Sequence, residues 1–315
     1  MKQYIGVDIG GTKIAIVKGD EQGNVTQKIR FENNGCVKDC LDRILAAVKE
    51  MGKADAIGIS CGGPLDAKKG LILSPPNLPG WDEIAIVEML ENATGTPTFL
   101  QNDADACALA EWKFGAGQGT QNMIFLTFGT GLGAGLILGG ALYSGSCGMA
   151  GEVGHMALEK DGPVGYGKAG SFEGFCSGGG LRQLGVAKAR QMLDAGLTPS
   201  FCPDESTLSA ITAQRIAECA NAGHEDAIAV YRQCGEMLGR GLAVLVDILN
   251  PERIVIGSIY ARARHLLDEA MVRTLSEQAL PQSLKACTIV PAALGESIGD
   301  VAALSVAVNG LQRRN

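Results

Sequence analysis

The chain has 315 residues, and its 44 glycines are about twice the share expected of an average protein, which is roughly 7%. Hydrophobic residues make up 46% and charged residues 19%, which excludes an intrinsically disordered chain. The formal net charge of −7 argues against a nucleic-acid-binding surface, because phosphate binding needs clustered cations. At about 150 residues per domain, the length predicts two domains.

Targeting and redox features predict a cytoplasmic protein that does not associate with a membrane. The sequence contains no run of about 18 apolar residues, and its start enters a strand-like pattern directly. The ten cysteines include no Cys-x-x-Cys pair and lie mostly in apolar or helix-like runs. We interpret them as small buried hydrophobic residues rather than as a disulfide framework.

The N-terminal pattern predicts a compact α/β unit. Two apolar runs, residues 4–8 and 14–17, flank the turn Gly10-Gly11-Thr12-Lys13, which is typical of a hairpin. A third strand is expected over 25–31, a helix over 37–51 and a buried strand over 56–60. Three strands, a helix and a further strand form one compact α/β unit.

A similar plan recurs about 120 residues downstream. After a helix-like run over 104–114, residues 124–127 enter a glycine-rich segment, 129–135, and leave it as a strand over 136–138. Helices over 227–249 and 301–311 and a strand over 253–257 complete the pattern. We therefore predict two α/β domains of similar plan.

Neither glycine turn belongs to a dinucleotide fold or a P-loop. Gly129-x-Gly131-x-x-Ala134 matches the dinucleotide fingerprint formally, but a strand-like pattern follows it where that fold requires a helix. Glycine hairpins can still hold phosphates through backbone N–H groups, with the hydroxyls of Thr12 and Thr130 as added donors. The alternative for each hairpin is a tight turn without a ligand.

Two charged residues flank the first turn in positions that suit phosphate chemistry. Asp8 immediately precedes the turn and can hold a water molecule bound to Mg²⁺, and Lys13 can offset phosphate charge. The pair of hairpins together with Asp8 favours nucleotide binding over two unrelated turns.

Seven short segments occur in order along nearly the whole chain: Asp8-Ile-Gly-Gly-Thr-Lys13, Gly62-Gly-Pro-Leu-Asp66, Asn77-Leu-Pro-Gly-Trp81, Asn102-Asp-Ala104, Gly129-Thr-Gly-Leu-Gly-Ala-Gly135, Gly151-Glu-Val-Gly-His155 and Asn250-Pro-Glu-Arg-Ile-Val-Ile-Gly257. Together they resemble the ROK family of sugar kinases and repressors, within the actin-like ATPase superfamily. The resemblance implies an α/β fold of two actin-like (ribonuclease H-like) ATPase domains with a cleft between them that binds the sugar.

The resemblance also implies the domain boundaries and the ATP site. We predict a small N-terminal domain of residues 1–113 plus a C-terminal helix over about 298–315, and a large domain of residues 114–297. ATP is expected with Mg²⁺ as cofactor, and Asp8 is expected to hold the metal through water. The predicted ATP-binding residues are Asp8, Gly10, Gly11, Thr12, Lys13, Gly129, Thr130, Gly131, Gly133, Gly257 and Ser258.

Asp103 is the candidate general base. A sugar hydroxyl is a poor nucleophile, so phosphoryl transfer benefits from a carboxylate that accepts its proton. The alternative is a helix N-cap, because a helix-like run follows. The residues alone leave both readings open, and the resemblance favours the base, with Asn102 binding a neighbouring hydroxyl. Asp105 is expected to be structural or solvent-facing.

Glu152 and His155 are candidates for the sugar site. They are three residues apart, so both can face the same way if the segment begins a helical turn. The alternative for His155 is a buried histidine with satisfied hydrogen bonds. The resemblance implies sugar contacts from both residues and from Glu173, with Gly63 and Asn77 as further candidates.

The chain departs from the family pattern over residues 164–173. Many members carry Cys-x-Cys-Gly-x-x-Gly-Cys-x-Glu here and bind zinc with a histidine, but this chain has none of the three thiols. Structural zinc usually needs four nitrogen or sulfur ligands, and Cys176 is isolated. We predict no structural zinc, and a loop held by packing of Tyr166, Phe172 and Phe175.

The predicted function is an ATP-dependent sugar kinase that transfers the γ-phosphate to a hexose hydroxyl, the 6-hydroxyl of glucose or of a close relative. Pro64 and the Asn77–Trp81 segment resemble glucose-type members. The alternative is a kinase of N-acetylmannosamine or another N-acetylhexosamine. From another class, the alternatives are a non-catalytic sugar sensor and a repressor remnant without a DNA-binding module. A homodimer is expected from the family.

Overall fold

The computed structural model describes residues 2–314, which fold into two five-stranded sheets, two short hairpins and ten α-helices. The strands are β1 (Gln3–Ile9), β2 (Lys13–Asp20), β3 (Val25–Glu32), β4 (Ala56–Cys61), β5 (Leu65–Asp66), β6 (Leu71–Ile72), β7 (Thr98–Asn102), β8 (Met123–Phe128), β9 (Leu132–Leu138), β10 (Ala141–Leu142), β11 (Val164–Gly165), β12 (Lys168–Ala169), β13 (Arg253–Ile256) and β14 (Thr288–Pro291).

The helices include every helix expected from the sequence. They are α1 (Val37–Glu50), α2 (Ile86–Thr94), α3 (Asp103–Phe114), α4 (Phe172–Phe175), α5 (Gly178–Asp194), α6 (Ala213–Asn221), α7 (Glu225–Leu249), α8 (Ile259–Gln278), α9 (Pro281–Ala286) and α10 (Ile298–Arg314). None of the helices within residues 2–314 combines the length and the apolarity that crossing a membrane requires.

The first sheet has the strand order β3-β2-β1-β4-β7. The hairpin prediction is confirmed, because β1 and β2 pair antiparallel around the turn at residues 10–12, and β4 and β7 continue the sheet in parallel. One face packs on α1 and α2, and α10 covers the other. At Gly58 a Cβ would lie 2.2 Å from the carbonyl oxygen of Ala303, so only glycine permits this close approach of α10.

The second sheet has the strand order β10-β9-β8-β13-β14. The prediction that the glycine segment runs to residue 135 was wrong, because β9 already begins at Leu132 and only residues 129–131 form the turn. The glycines of this strand fit extended backbone. At Gly135 a Cβ would lie 2.5 Å from the carbonyl oxygen of Ala104, so this glycine serves close packing against α3.

The chain divides into two compact units. The first contains residues 2–125, 135–150 and 293–314, and the second contains residues 126–134 and 151–292. Residues 114–125 and 135–150 therefore fall in the first unit, whereas the sequence-based boundary places them in the large domain. The boundaries of the functional domains stay a prediction. The final helix belongs to the first unit, where Leu304 and Ala307 pack with Tyr4 and Ala56.

All ten cysteines are free thiols, as expected. Six of them are buried, and the interpretation as small core residues is confirmed for those. It was wrong for Cys36 and Cys147, which are exposed in loop segments.

Candidate functional site

Asp8 lies near the carboxyl end of β1, within an acidic part of the first unit. Burial, together with the charges of Asp103 and Asp300, raises the pKa of its carboxyl to about 7. A hydrogen bond from Ser60, its partner in β4, and the charge of Lys28 oppose this rise in pKa. The positive charge near the Asp8 carboxylate is therefore too small to offset its burial and the neighbouring carboxylates.

This donor set fits a magnesium ion that arrives with a nucleotide. Mg²⁺ is commonly bound through one or two carboxylates together with substrate phosphates and water. Within residues 2–314, no group of three histidine, cysteine or acidic side chains converges closely enough to hold a metal. Asp8 therefore suits a metal whose other ligands come from the substrate and from solvent.

At the start of α3, Asn102 caps the helix and Asp103 does not. Asn102 is the N-cap, because its Oδ1 accepts a 2.7 Å hydrogen bond from the N–H of Asp105. Asp103 Oδ1 accepts a 2.9 Å hydrogen bond from the N–H of its neighbour Ala104, so it does not cap the helix as Asn102 does. The alternative of Asp103 as the helix cap was thus wrong. Burial by the surrounding protein raises the pKa of the Asp103 carboxyl, although the residue keeps contact with solvent.

Asp105 is structural, and it does not face solvent. It is 1% exposed, and its Oδ2 accepts a 2.8 Å hydrogen bond from the Ser144 hydroxyl. The structural half of the prediction is confirmed and the solvent-facing half was wrong.

The first hairpin turn packs against the loop that carries Asn77. The N–H of Gly10 donates to the Lys13 carbonyl at 3.0 Å, and Thr12 and Lys13 are exposed. A Cβ on Gly11 would lie 2.5 Å from the Asn77 carbonyl oxygen. A Cβ on Gly62, the neighbour of the exposed Gly63, would lie 3.3 Å from the Asn77 amide. The structure thus brings the first glycine turn together with Asn77 and the neighbour of Gly63.

The second hairpin turn contacts the candidate adenosine-side residues. A Cβ on Gly129 would lie 3.7 Å from Ser258 Oγ, and the N–H of Gly257 donates to the Leu126 carbonyl at 2.9 Å. Ser258 precedes α8 with a φ of +53°. The N–H of Gly133 donates to Thr127 Oγ1 at 2.9 Å, and Thr130 is exposed.

Glu152 and His155 lie on one helical turn, as their spacing predicted. A 3₁₀ turn over Val153–His155 follows Glu152, and both side chains are exposed. The alternative of a buried His155 was wrong, because its side chain is exposed, and its ring makes an edge contact with the exposed Tyr166 at a centroid distance of 6.5 Å. A Cβ on Gly154 would lie 3.2 Å from the Glu173 Cβ, so this turn and Glu173 are neighbours.

The residues around His155 do not fit structural zinc. Lys168, in the segment where other family members carry cysteines, donates from its Nζ to the carbonyl oxygen of His155 at 2.7 Å. Cys176 is buried, and its thiol hydrogen-bonds to the carbonyl oxygen of Cys234. The packing prediction for the loop was correct for Phe172 and Phe175, which are buried, and wrong for Tyr166, which is 78% exposed.

The sequence analysis did not predict that Lys28 and Asp300 lie close to Asp8. Lys28 Nζ lies 2.5 Å from Asp300 Oδ2, and both charges act on the pKa of Asp8. An acidic residue in the first turn of a helix is typical of helices in general, so Asp300 carried no functional signal. Lys28 lies in an alternating strand, where a charged residue on one face is equally ordinary.

The comparisons with known proteins agree with this geometry. A sequence profile of the ROK family matches residues 4–309. The chain is 30% identical to the glucokinase of Thermotoga maritima over 314 residues, covering 96% of both proteins. The protein belongs to the ROK family.

Solved ROK structures share the fold of this chain. The ROK hexokinase from Thermus thermophilus has a TM-score of 0.83 at 29% identity and covers 99% of both chains. The ROK glucokinase from Streptomyces griseus, solved with glucose and AMPPNP, has a TM-score of 0.76 at 30% identity and covers 99% of this chain and 100% of that one. The predicted α/β class with actin-like ATPase domains is confirmed.

Proposed function

We propose that this protein is an ATP-dependent sugar kinase that transfers the γ-phosphate of ATP to a hexose hydroxyl, with Asp103 as general base. The observation that carries the proposal is the position of Asp103. Its carboxylate lies at the start of α3, where Asn102 already caps the helix. The charge of Asp103 raises the pKa of the Asp8 carboxyl, so the two carboxylates interact. A carboxylate that the helix does not need is available for proton transfer.

The mechanism follows from the chemistry of that carboxylate. Asp103 accepts the proton of the sugar hydroxyl while the hydroxyl oxygen forms a bond to the γ-phosphorus, and the bond from that phosphorus to the β-phosphate bridging oxygen breaks. The surrounding protein raises the pKa of the Asp103 carboxyl, which makes it a stronger base than a carboxylate of ordinary pKa. Magnesium, when bound with ATP, would neutralise part of the phosphate charge beside Asp8.

The ATP phosphates are proposed to bind at two glycine turns. The first contributes Gly10, Gly11, Thr12 and Lys13, and the second contributes Gly129, Thr130, Gly131 and Gly133. Gly257 and Ser258 are proposed to lie at the adenosine, which their contacts with the second turn support.

The sugar is proposed to contact Gly63, Asn77, Asn102, Asp103, Glu152, His155 and Glu173. The capping bond occupies Asn102 Oδ1 and leaves its amide nitrogen to donate to a hydroxyl. Glucose is the proposed substrate, because relatives such as the Thermotoga maritima protein are glucokinases. Use of magnesium, a cytoplasmic location, a homodimer and the lack of a nucleic-acid partner remain predictions.

The test compares Asp103→Asn with Asp42→Asn, the same chemical change on the exposed face of α1. ADP release is measured with glucose, mannose, fructose, allose, N-acetylglucosamine and N-acetylmannosamine. Asp103→Asn should lower kcat by about 10²–10⁴-fold on the preferred sugar and leave sugar binding by calorimetry largely intact. Turnover within tenfold of the wild type would refute Asp103 as the base, and ATP use unaffected by every sugar would refute the kinase.

A further inference from the structure

The segment of residues 156–175, named here the sugar-side segment, carries Glu173 and directly follows His155. The same region departs from the zinc-binding pattern, and its donor groups do not fit a metal. Its hydrogen bonds show how the protein can hold it without one.

Gln183 on α5 makes the most specific of these contacts. Its Oε1 accepts from the N–H of Val164 and its Nε2 donates to the carbonyl oxygen of Val164, each at 2.9 Å. A side-chain amide bonded to both polar groups of one residue reproduces the pairing of a neighbouring β-strand. Nε2 also lies 3.3 Å from the Gly179 carbonyl oxygen, which orients the amide on its helix.

The contact at Val164 reaches Glu173 through closely packed backbone. A Cβ on Gly165 would lie 2.5 Å from the N–H nitrogen of Gly174 and 2.8 Å from the Glu173 Cβ. The backbone at Gly165 therefore contacts the backbone at Gly174 with no side chain between them. The close contact at Gly165, the residue after Val164, therefore couples the position of Val164 to that of Glu173.

The other end of the segment is tied to His155. Lys168 Nζ donates to the His155 carbonyl oxygen at 2.7 Å, and the N–H of Phe172 donates to the Met156 carbonyl oxygen at 2.8 Å. The Gly170 carbonyl oxygen accepts from the N–H groups of Leu158 and Glu159 at 2.9 and 3.1 Å. The segment is thus bonded within itself, while Gln183 bonds it to a long helix.

We propose that Gln183 is a positioning residue: by pairing with Val164 it fixes the sugar-side segment on α5 and so sets the positions of His155 and Glu173 without a metal ion. The proposed consequence for sugar affinity rests on the sugar kinase function. The consequence for local order does not.

The test compares Gln183→Ala with Gln191→Ala, the same change two turns further along α5 at an exposed position. Hydrogen exchange of the full chain should accelerate at least tenfold over residues 153–175 in Gln183→Ala, with the rest of the chain and the Tm close to those of Gln191→Ala. The Kd and KM for glucose should rise about tenfold, as expected for the loss of one or two hydrogen bonds, with kcat changed less than threefold. Gln183→Glu, which keeps the acceptor and loses the donor, should fall between.

Three outcomes separate the parts of this proposal. Equal hydrogen exchange in Gln183→Ala and Gln191→Ala would overturn it. About one zinc per purified chain, or a Tm and glucose Kd that change on chelation, would overturn it as well. Local loosening in a protein that phosphorylates no hexose would support the positioning role and refute the kinase function alone.

Discussion

The backbone N–H of Leu132 donates a 2.9 Å hydrogen bond to Glu173 Oε2. Leu132 begins β9 directly after the second glycine turn, and a Cβ on Gly131 would lie 2.7 Å from the same carboxylate oxygen. A residue expected to contact the sugar therefore also supports a turn expected to contact ATP. Both lie in the second compact unit.

This shared carboxylate predicts a joint effect on the two substrates. Glu173→Ala should raise the KM for sugar and the KM for ATP, each by about tenfold. It removes the proposed hydrogen bond to the sugar and the hydrogen bond to Leu132 that supports the second glycine turn. Glu173→Gln keeps an oxygen acceptor and should have a smaller effect on ATP. Steady-state kinetics with each substrate varied in turn measures both constants. Glu225→Ala, at an exposed position, provides the control. An unchanged KM for ATP in Glu173→Ala would contradict the link.

Asp8 predicts a pH-dependent stability of the nucleotide-free protein. The pKa of its carboxyl is raised to about 7, against about 3.9 in the unfolded chain. Between these values the folded state binds more protons, so the contribution of Asp8 is full below pH 4 and is lost as the pH rises to 7. Asp8→Asn removes this loss. Its free energy of unfolding should exceed that of the wild type by roughly 1–3 kcal/mol more at pH 7.5 than at pH 4.5.

Urea unfolding at several pH values, without nucleotide, measures this difference. Asp42→Asn on the exposed face of α1 is the control and should follow the wild type at every pH. A constant difference between Asp8→Asn and the wild type across this range would show that Asp8 titrates normally.

Features that depend on local sequence were predictable, and those that depend on distant contacts were not. The β1–β2 hairpin follows from alternating apolar runs around a glycine turn, and the shared turn of Glu152 and His155 follows from their spacing. The bond between Glu173 and Leu132 joins residues 41 positions apart, and no local pattern encodes that pairing. The early start of β9 was hidden because glycine has low strand propensity, which packing against α3 overrides.

Lys28 and Asp300 show the same limit across 272 positions, and they yield a prediction. The Asp300 charge raises the pKa of Asp8, while the Lys28 charge lowers it. Asp300→Asn should therefore lower the pKa of Asp8, and Lys28→Met should raise it. Carboxyl-carbon NMR titration of Asp8 in each variant measures the two shifts. The double variant should lie between them, and shifts in the same direction would contradict the assignment.

Substituting Glu111, which lies away from the proposed substrate-binding residues, is expected to destabilise the protein strongly. It is fully buried on α3, and its carboxylate accepts from the N–H groups of Ala116, Ala293 and Leu294 at 2.7, 3.2 and 2.9 Å. Two of these donors lie in the segment that leads into α10. Glu111→Ala leaves all three donors without their acceptor and should lower the free energy of unfolding by about 2–4 kcal/mol, a large fraction of the stability of a typical domain.

Glu111→Gln retains one acceptor oxygen but turns an NH₂ group toward a backbone donor, so it should lose part of this stability. Glu50→Ala, at the exposed end of α1, removes the same carboxylate where no such bonds exist and should change stability by less than about 0.5 kcal/mol. Urea unfolding with an unchanged m-value separates lost stability from an altered unfolded state. If Glu111→Ala unfolds within about 0.5 kcal/mol of Glu50→Ala, the three hydrogen bonds do not stabilise this segment as proposed.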